Sequence, residues 1–428
     1  MTAPQRLREV DAAALTANAE ELRRQHAALV ERGLSLNLTR GKPATDQLDL
    51  AEELLERPGT GNHTAADGTD CRNYGGLLGL AELRELFSPV LGVPAAQLVA
   101  EGNASLALMH QCVVDALLHG LPGGQPWRDT ERVAFLCPVP GYDRHFSLCQ
   151  HLGIEMIPVG MTEDGPDLDA VAELLASDER IKGMWCVPVY SNPTGVTYSA
   201  DTVRRLVSMP AAAPDFRLFW DNAYAVHDLT ETAPSVPNVL ELAAQAGNPD
   251  RPFVFGSTSK ITMAGAGVAF FGASKANVDW YAEHMRFRTI GPDKINQLRH
   301  VQFLGGTEGL RAHMAAHRAL LAPKFAMVDS VLHAELDGAV TARWSKPAGG
   351  YFISLDVLGG CAARVIALAK QAGIALTPAG ATFPYGRDPQ DANIRIAPTF
   401  PDLDELEAAV RGLTLCVKLA EAEKRLAG

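Results

Sequence analysis

Lys260 ends the segment Ser257-Thr258-Ser259-Lys260, between the apolar run Phe253-Val254-Phe255 and the small-residue stretch Ala264-Gly265-Ala266-Gly267. A lysine amine can form a Schiff base with an aldehyde and, once displaced by another amine, act as a general base. Upstream stand Asp221-Asn222-Ala223-Tyr224 and, before them, Ser191-Asn192-Pro193-Thr194-Gly195. Asp221 directly follows Phe219-Trp220, so its carboxylate lies at or beyond a buried strand end, where it needs a cationic partner to stay charged. A protonated pyridine nitrogen is one such partner, and a helix N-cap is the plainer use of an aspartate there. Tyr224 and Asn192 could both reach a phenolic oxygen on the same ring.

Two further turns carry polar or aromatic groups. Gly102-Asn103-Ala104-Ser105-Leu106 opens a strongly helical pattern, and small residues at a helix start let backbone N–H groups and a hydroxyl surround a phosphate. Pro140-Gly141-Tyr142 follows the run Val133-Ala134-Phe135-Leu136 and offers a ring near the same edge. Taken alone, either turn reads first as structural.

The elements that must position these groups are short continuous apolar runs alternating with helical patterns. The runs cover residues 133–136, 155–159, 183–187, 218–220, 253–255 and 268–271. Unbroken apolarity suits strands covered by helices on both faces, so an α/β layered domain with a largely parallel sheet is expected, and its ligands collect in turns beyond the strand ends. An amphipathic helix is expected over Asp11 to Arg32, with Leu15, Ala19, Leu22, His26, Leu29 and Val30 on one stripe. A long helical region runs from near residue 300 to about Leu336, followed by strand-like 350–355 and 394–397. The final helix starts at Leu403 with Asp402 as its cap and Leu406, Val410, Leu413, Val417 and Ala420 on one face.

A chain of 428 residues with 47% hydrophobic and 21% charged residues is ordinary globular material, long enough for two domains. Its net charge of −12 argues against nucleic acid or an anionic membrane as the main partner. No apolar stretch approaches the ~20 residues of a membrane span, and charged Met1–Val10 lacks the apolar core of a secretory signal. Seven scattered cysteines form no CxxC pair, so neither a disulfide framework nor a metal site is indicated, and a cytoplasmic setting is expected. A dinucleotide reading of Gly265-x-Gly267 fails because Phe270 stands at the third glycine and the stretch leads into a strand.

Taken together, SNPTG (191–195), DNAY (221–224), STSK (257–260), KPAGGYF (346–352) and RIAP (395–398) resemble the fold-type I pyridoxal phosphate enzymes of the class I/II aminotransferase family. The resemblance extends from about Leu36 to Phe400. The forms TRGKP, CRNYGG, GNASL, SKITMAGAGVAFF and IGPDKINQLRH look most like the bacterial aspartate aminotransferase branch related to MocR-type domains. It implies a large domain over residues 60–315, and a smaller α/β domain built from residues 1–59 and 316–428. Lys260 would be the Schiff-base lysine, and Asp221, backed by His145, would pair with the pyridine nitrogen. Tyr142 would stack on the ring, and Asn192 and Tyr224 would bond its phenolic oxygen. Ala104, Ser105, Ser257 and Ser259 would line the phosphate, with Tyr74 arriving from the other subunit of a homodimer. Arg395 would hold the substrate α-carboxylate in a bidentate fork, with Gly41 beside it.

Relatives usually place a phosphate-binding arginine seven or eight residues beyond the lysine, where this chain has Gly267 and Val268, and Lys294 is the candidate replacement cation. For a distal carboxylate the candidates are Arg286, Arg288 and Arg40. The implied reaction is ping-pong transfer of an amino group from L-aspartate to 2-oxoglutarate. Alanine or an aromatic amino acid as substrate, and β-elimination or decarboxylation at the same site, are the rival chemistries. A pyridoxal phosphate sensor regulating transcription would add a DNA-binding domain, and no helix-turn-helix module precedes the organised domain in this sequence.

Overall fold

The computed structural model describes residues 12–39, 41–232 and 234–427; Met1–Val10, Asp11 and Arg40, which figure in the expectations above, lie outside them. Eight strands form the main sheet. Their order is Leu98–Glu101, Ala269–Gly272, Pro252–Ser257, Arg217–Asp221, Ile181–Cys186, Ala134–Val139, Glu155–Thr162 and Gly165–Pro166. The five from Pro252–Ser257 to Glu155–Thr162 run parallel, whereas Ala269–Gly272 is antiparallel to both its neighbours.

Alternate residues of each strand feed opposite cores, which is why the apolar runs are continuous. Leu136, Met184, Leu218, Trp220 and Val254 face helices Ala81–Leu91, Leu168–Ser177, Ala200–Ser208 and Lys294–Leu304. Phe135, Trp185, Phe219, Phe253 and Phe255 face helices Ser105–His119, Asp143–His151 and Lys275–Met285. Because the parallel strands all point one way, their last residues reach one edge, and the turns that follow them meet there.

A separate core joins the first described helix, Ala12–Glu31, to residues beyond 324. It supports a three-stranded antiparallel sheet of Arg343–Trp344, Ile353–Asp356 and Asn393–Ile396, and a two-residue parallel pairing of Leu36–Asn37 with Ile374–Ala375. Leu15, Ala19, Leu22, His26 and Leu29 are buried as the helical period requires. Val30 stays 38% exposed, since it lies one position round from Leu29 and off the stripe. Asp402 Oδ1 accepts the Glu405 N–H at 2.8 Å and caps the last helix, Leu403–Ala427.

The helical region after residue 300 is two helices, Lys294–Leu304 and Thr307–Leu336. Gly305 ends the first in the left-handed conformation (φ 63°) that glycine adopts without penalty. The second helix passes from one core to the other. Leu310 and Met314 pack with the main sheet, and Phe325, Val328 and Leu332 pack in the separate core. Pro323, at the crossing, cannot donate a backbone hydrogen bond.

Candidate active site

A cavity of about 440 Å³ opens where the strand ends meet the three-stranded sheet. Ser105, Tyr142, Asn192, Asp221, Tyr224, Lys260, Gly41 and Arg395 all line it, although they come from widely separated stretches of chain. Asp221 closes the strand Arg217–Asp221, Tyr142 precedes the helix Asp143–His151, and Arg395 lies on Asn393–Ile396 opposite Ser354.

Asp221 is 3% exposed. Its Oδ2 accepts from His145 Nε2 at 3.1 Å, and His145 stacks flat on Trp185 at 4.4 Å. Its Oδ1 is buried without a partner among the described residues, as is the side-chain oxygen of Asn192. Burial raises the Tyr142 phenol to about 12 and that of Tyr224 well above the usual range, so both hydroxyls keep their protons and can donate. Lys260 Nζ stands 5.0 Å from the Tyr224 ring centre, and burial lowers its ammonium against the opposing pull of Asp221. An amine shifted this way is a better nucleophile at neutral pH than a solvated lysine.

Ser105 starts the 15-residue helix Ser105–His119, whose first N–H groups have no side-chain cap from Ala104. Ser259 Oγ donates to the Asn103 carbonyl at 3.2 Å and accepts from Ser257 Oγ at 3.1 Å, so the two serines stand beside that turn. Lys294 is not with them. It is 3% exposed, and its Nζ donates to the carbonyls of Asn73 and Gly75 at 2.7 Å each, bracing the loop that carries Tyr74. No side chain at Gly267 fills the arginine's role, and Asn296 Nδ2 donates to the Ala266 and Gly267 carbonyls at 3.1 and 2.9 Å.

Arg395 Nη1 is 2.7 Å from Asp143 Oδ1, its Nη2 donates to Thr377 Oγ1 at 3.3 Å, and its Nε is buried with no partner among the described residues. Its guanidinium lies over the Phe352 ring at 4.9 Å. Gly41 packs against the same ring, and a Cβ there would collide with Phe352 Cζ. Arg288, expected to meet a distal carboxylate, is committed to Glu101 and to the Tyr281 hydroxyl. Arg286 is exposed after the helix Lys275–Met285 and does not line the cavity. Tyr74, 80% exposed, does not line it either. The cavity walls instead contain two cations that the motifs did not single out for this role, Lys42 and Arg144. Asp143 and Phe352 were also missed as members of the site, although both sit inside or beside the motifs named above.

Two outcomes follow. Gly41→Ala should push Phe352 into Arg395 and raise KM for carboxylate substrates more than it lowers kcat; steady-state kinetics check this, and an unchanged KM contradicts the contact. Burial lowers His227 to about 3 and His300 and His317 to about 4, from 6.5. The unfolded chain then binds more protons than the folded one between those values, so stability falls as pH drops from about 6.5 towards 4. Thermal midpoints at about pH 7.5 and about pH 5 should differ in that direction, and equal midpoints would contradict neutral burial.

The chain can be compared with known proteins on this basis. A family model described as aspartate amino-transferase matches residues 10–428. An aspartate aminotransferase of Corynebacterium glutamicum is 51% identical over 418 residues, which cover 97% of this chain and 96% of that protein. A crystal structure of an aspartate transaminase from the same species superposes with a TM-score of 0.96 at 50% identity, covering 99% of this chain and 100% of that one. An α-aminoadipate aminotransferase of Thermus thermophilus, solved with N-(5′-phosphopyridoxyl)-L-leucine, shares the fold at a TM-score of 0.73 and 22% identity, covering 93% and 95% of the two chains. With the family model spanning nearly its whole length, this chain belongs to the aspartate amino-transferase family of fold-type I aminotransferases.

Proposed function

We propose that this protein is a pyridoxal phosphate-dependent aminotransferase that moves an amino group from L-aspartate to 2-oxoglutarate, giving oxaloacetate and L-glutamate. The observation that carries the cofactor is the pair of unpartnered buried oxygens, on Asp221 and Asn192, in the same cavity as the Lys260 amine. Asp221 Oδ1 is free to accept from a pyridinium N–H, while His145 holds Oδ2. Asn192, with its amide turned to present Nδ2, and the Tyr224 hydroxyl would donate to the phenolic oxygen. The uncapped helix at Ser105 and the hydroxyls of Ser257 and Ser259 would take the phosphate.

Pyridoxal phosphate supplies an electrophilic carbon and an electron-withdrawing ring. The chain supplies the rest. Lys260 Nζ, once released, takes the proton from the substrate Cα and returns it elsewhere, a role suited to an amine with a lowered pKa. Arg395 grips the α-carboxylate through Nε and Nη2, and Tyr142 covers the ring position from the helix start.

For the distal carboxylate, Arg144 is the better placed cation. It lines the cavity without a charged partner among the described residues, whereas Lys42 Nζ lies 4.0 Å over the Phe400 ring. A homodimer fits the surface: Tyr74, Phe287 and Ile290 are 80%, 84% and 65% exposed. Their segments touch, since a Cβ on Gly291 would meet the Gly75 carbonyl. The two cores support a division near residues 59/60 and 315/316, the latter inside the helix Thr307–Leu336.

Adding L-aspartate without any oxo acid to protein loaded with pyridoxal phosphate should abolish the visible absorbance and raise a near-ultraviolet band. A band indifferent to aspartate sinks the substrate; no Lys260-dependent band at all sinks the cofactor reading. Arg144→Gln should raise KM for aspartate roughly 10- to 100-fold, the worth of a hydrogen bond between charged groups, with little effect on alanine. An equal change for both substrates would reject Arg144 as the distal contact.

A further inference from the structure

The turn that carries Lys260 is held by histidines from three other stretches of chain. It runs from Ser257 to Val268 between two strands, and neither the Lys260 nor the Ile261 carbonyl is used by a backbone hydrogen bond of the turn. His227 Nε2 lies 3.2 Å from the Lys260 carbonyl oxygen. His313 and His317 place both Nε2 atoms on the Ile261 carbonyl, at 2.6 and 2.9 Å. On the other side, His300 Nε2 is 3.2 Å from Thr258 Oγ1 and 2.9 Å from Thr262 Oγ1.

The tautomers follow from the partners. His317 Nδ1 faces the Gln47 Nε2 amide group at 3.3 Å, which can only donate, so the ring's proton is on Nε2 and points at Ile261. Gln47 is fixed in turn: it is fully buried, its Oε1 accepts from the Ala44 N–H at 3.1 Å, and its Nε2 donates to the Tyr351 hydroxyl at 2.8 Å. His300 Nδ1 donates to the Asn296 carbonyl at 2.7 Å, leaving its Nε2 to accept from a threonine hydroxyl. The turn is therefore tied by neutral donors to the helix Thr307–Leu336, to the segment after Asp221, and through Gln47 to the N-terminal stretch.

We propose that His317 and His313, with His227, are positioning residues that fix the backbone of Lys260 by its neighbouring carbonyls and so set where Nζ stands in the cavity. This rests on the reading of Lys260 as the cofactor lysine. A carbonyl released from its donors lets the turn shift, and the flexible side chain carries that shift to the reacting nitrogen. The chemistry of the donor decides the outcome, because a neutral N–H is required at the Nε2 position and bulk alone does not supply it.

The test compares wild type, H317Q and H317L, each loaded with pyridoxal phosphate, with Lys260→Ala as the control for the visible band. H317L is expected to lower kcat roughly 10- to 100-fold, as displacement of a reacting group by about an ångström does, with KM little changed. It should also move the pH midpoint of the Lys260-dependent band. H317Q keeps an N–H near Nε2 and should restore both. Wild-type kcat and midpoint in H317L, or equal impairment in the two variants, overturns the proposal while leaving the cofactor reading intact. A wild-type protein with no Lys260-dependent band overturns both. If the His317 variants do not fold, H313Q and H313L, at a half-buried position, give the same contrast with the same deciding outcomes.

Discussion

A carboxylate removed from water must have its charge answered on both oxygens, and Asp221 has an answer on one. The protein invests heavily in that half. His145 must donate through Nε2, and Trp185 must lie flat against the imidazole to hold it there. Phe135 and Phe219 pack around Trp185 at 5.4 and 4.9 Å, so the aromatic core under the sheet backs the histidine that holds Asp221. The second oxygen has no partner among the described residues, and Asp221 shares its cavity with Asn192, Tyr224 and Lys260. The sheet order, the direction of its five parallel strands and the apolar packing beneath them all serve to present this one unsatisfied atom.

The site gathers parts that no local stretch could assemble. Asp221 belongs to the main sheet, while Arg395, Phe352 and Thr377 lie in or directly beside the small strands that the separate core supports. The Arg395–Asp143 ion pair at 2.7 Å and the bond from the Gly141 N–H to the Thr382 carbonyl at 2.8 Å tie the two sides next to Tyr142. Arg395 is 7% exposed, so its charge is kept by a specific partner and by the face of Phe352.

Much of this was legible in the sequence because polar words stood directly after apolar runs. Asp221 after Phe219-Trp220, and Lys260 after Phe253-Val254-Phe255, announce strand ends, and parallel strands bring such ends together. The first and last helices were readable from their period and from Asp402. What was not legible depends on partners distant along the chain. Nothing near Arg288 reveals that Glu101 will claim it, and nothing near Lys294 reveals the carbonyls of Asn73 and Gly75. His313 and His317 read only as helix residues four apart, because their acceptor, Ile261, lies more than fifty positions away. The interruption at Gly305-Gly306 was written in the sequence and was smoothed over by the apolar pattern on both sides.

The helix Thr307–Leu336 gives this arrangement a mechanical character. Its 30 residues make a rod of about 45 Å at 1.5 Å per residue, rooted in one core and ending in the other. A rod is stiff except where its ladder lacks a rung, and Pro323 removes the one that would reach back to the Ala319 carbonyl. Any bend in this rod would therefore fall at Pro323, on the side of the separate core. The half of the rod that bears His313 and His317 is packed against the main sheet through Leu310 and Met314, so the lysine turn and the histidines that hold it lie on one side of that break.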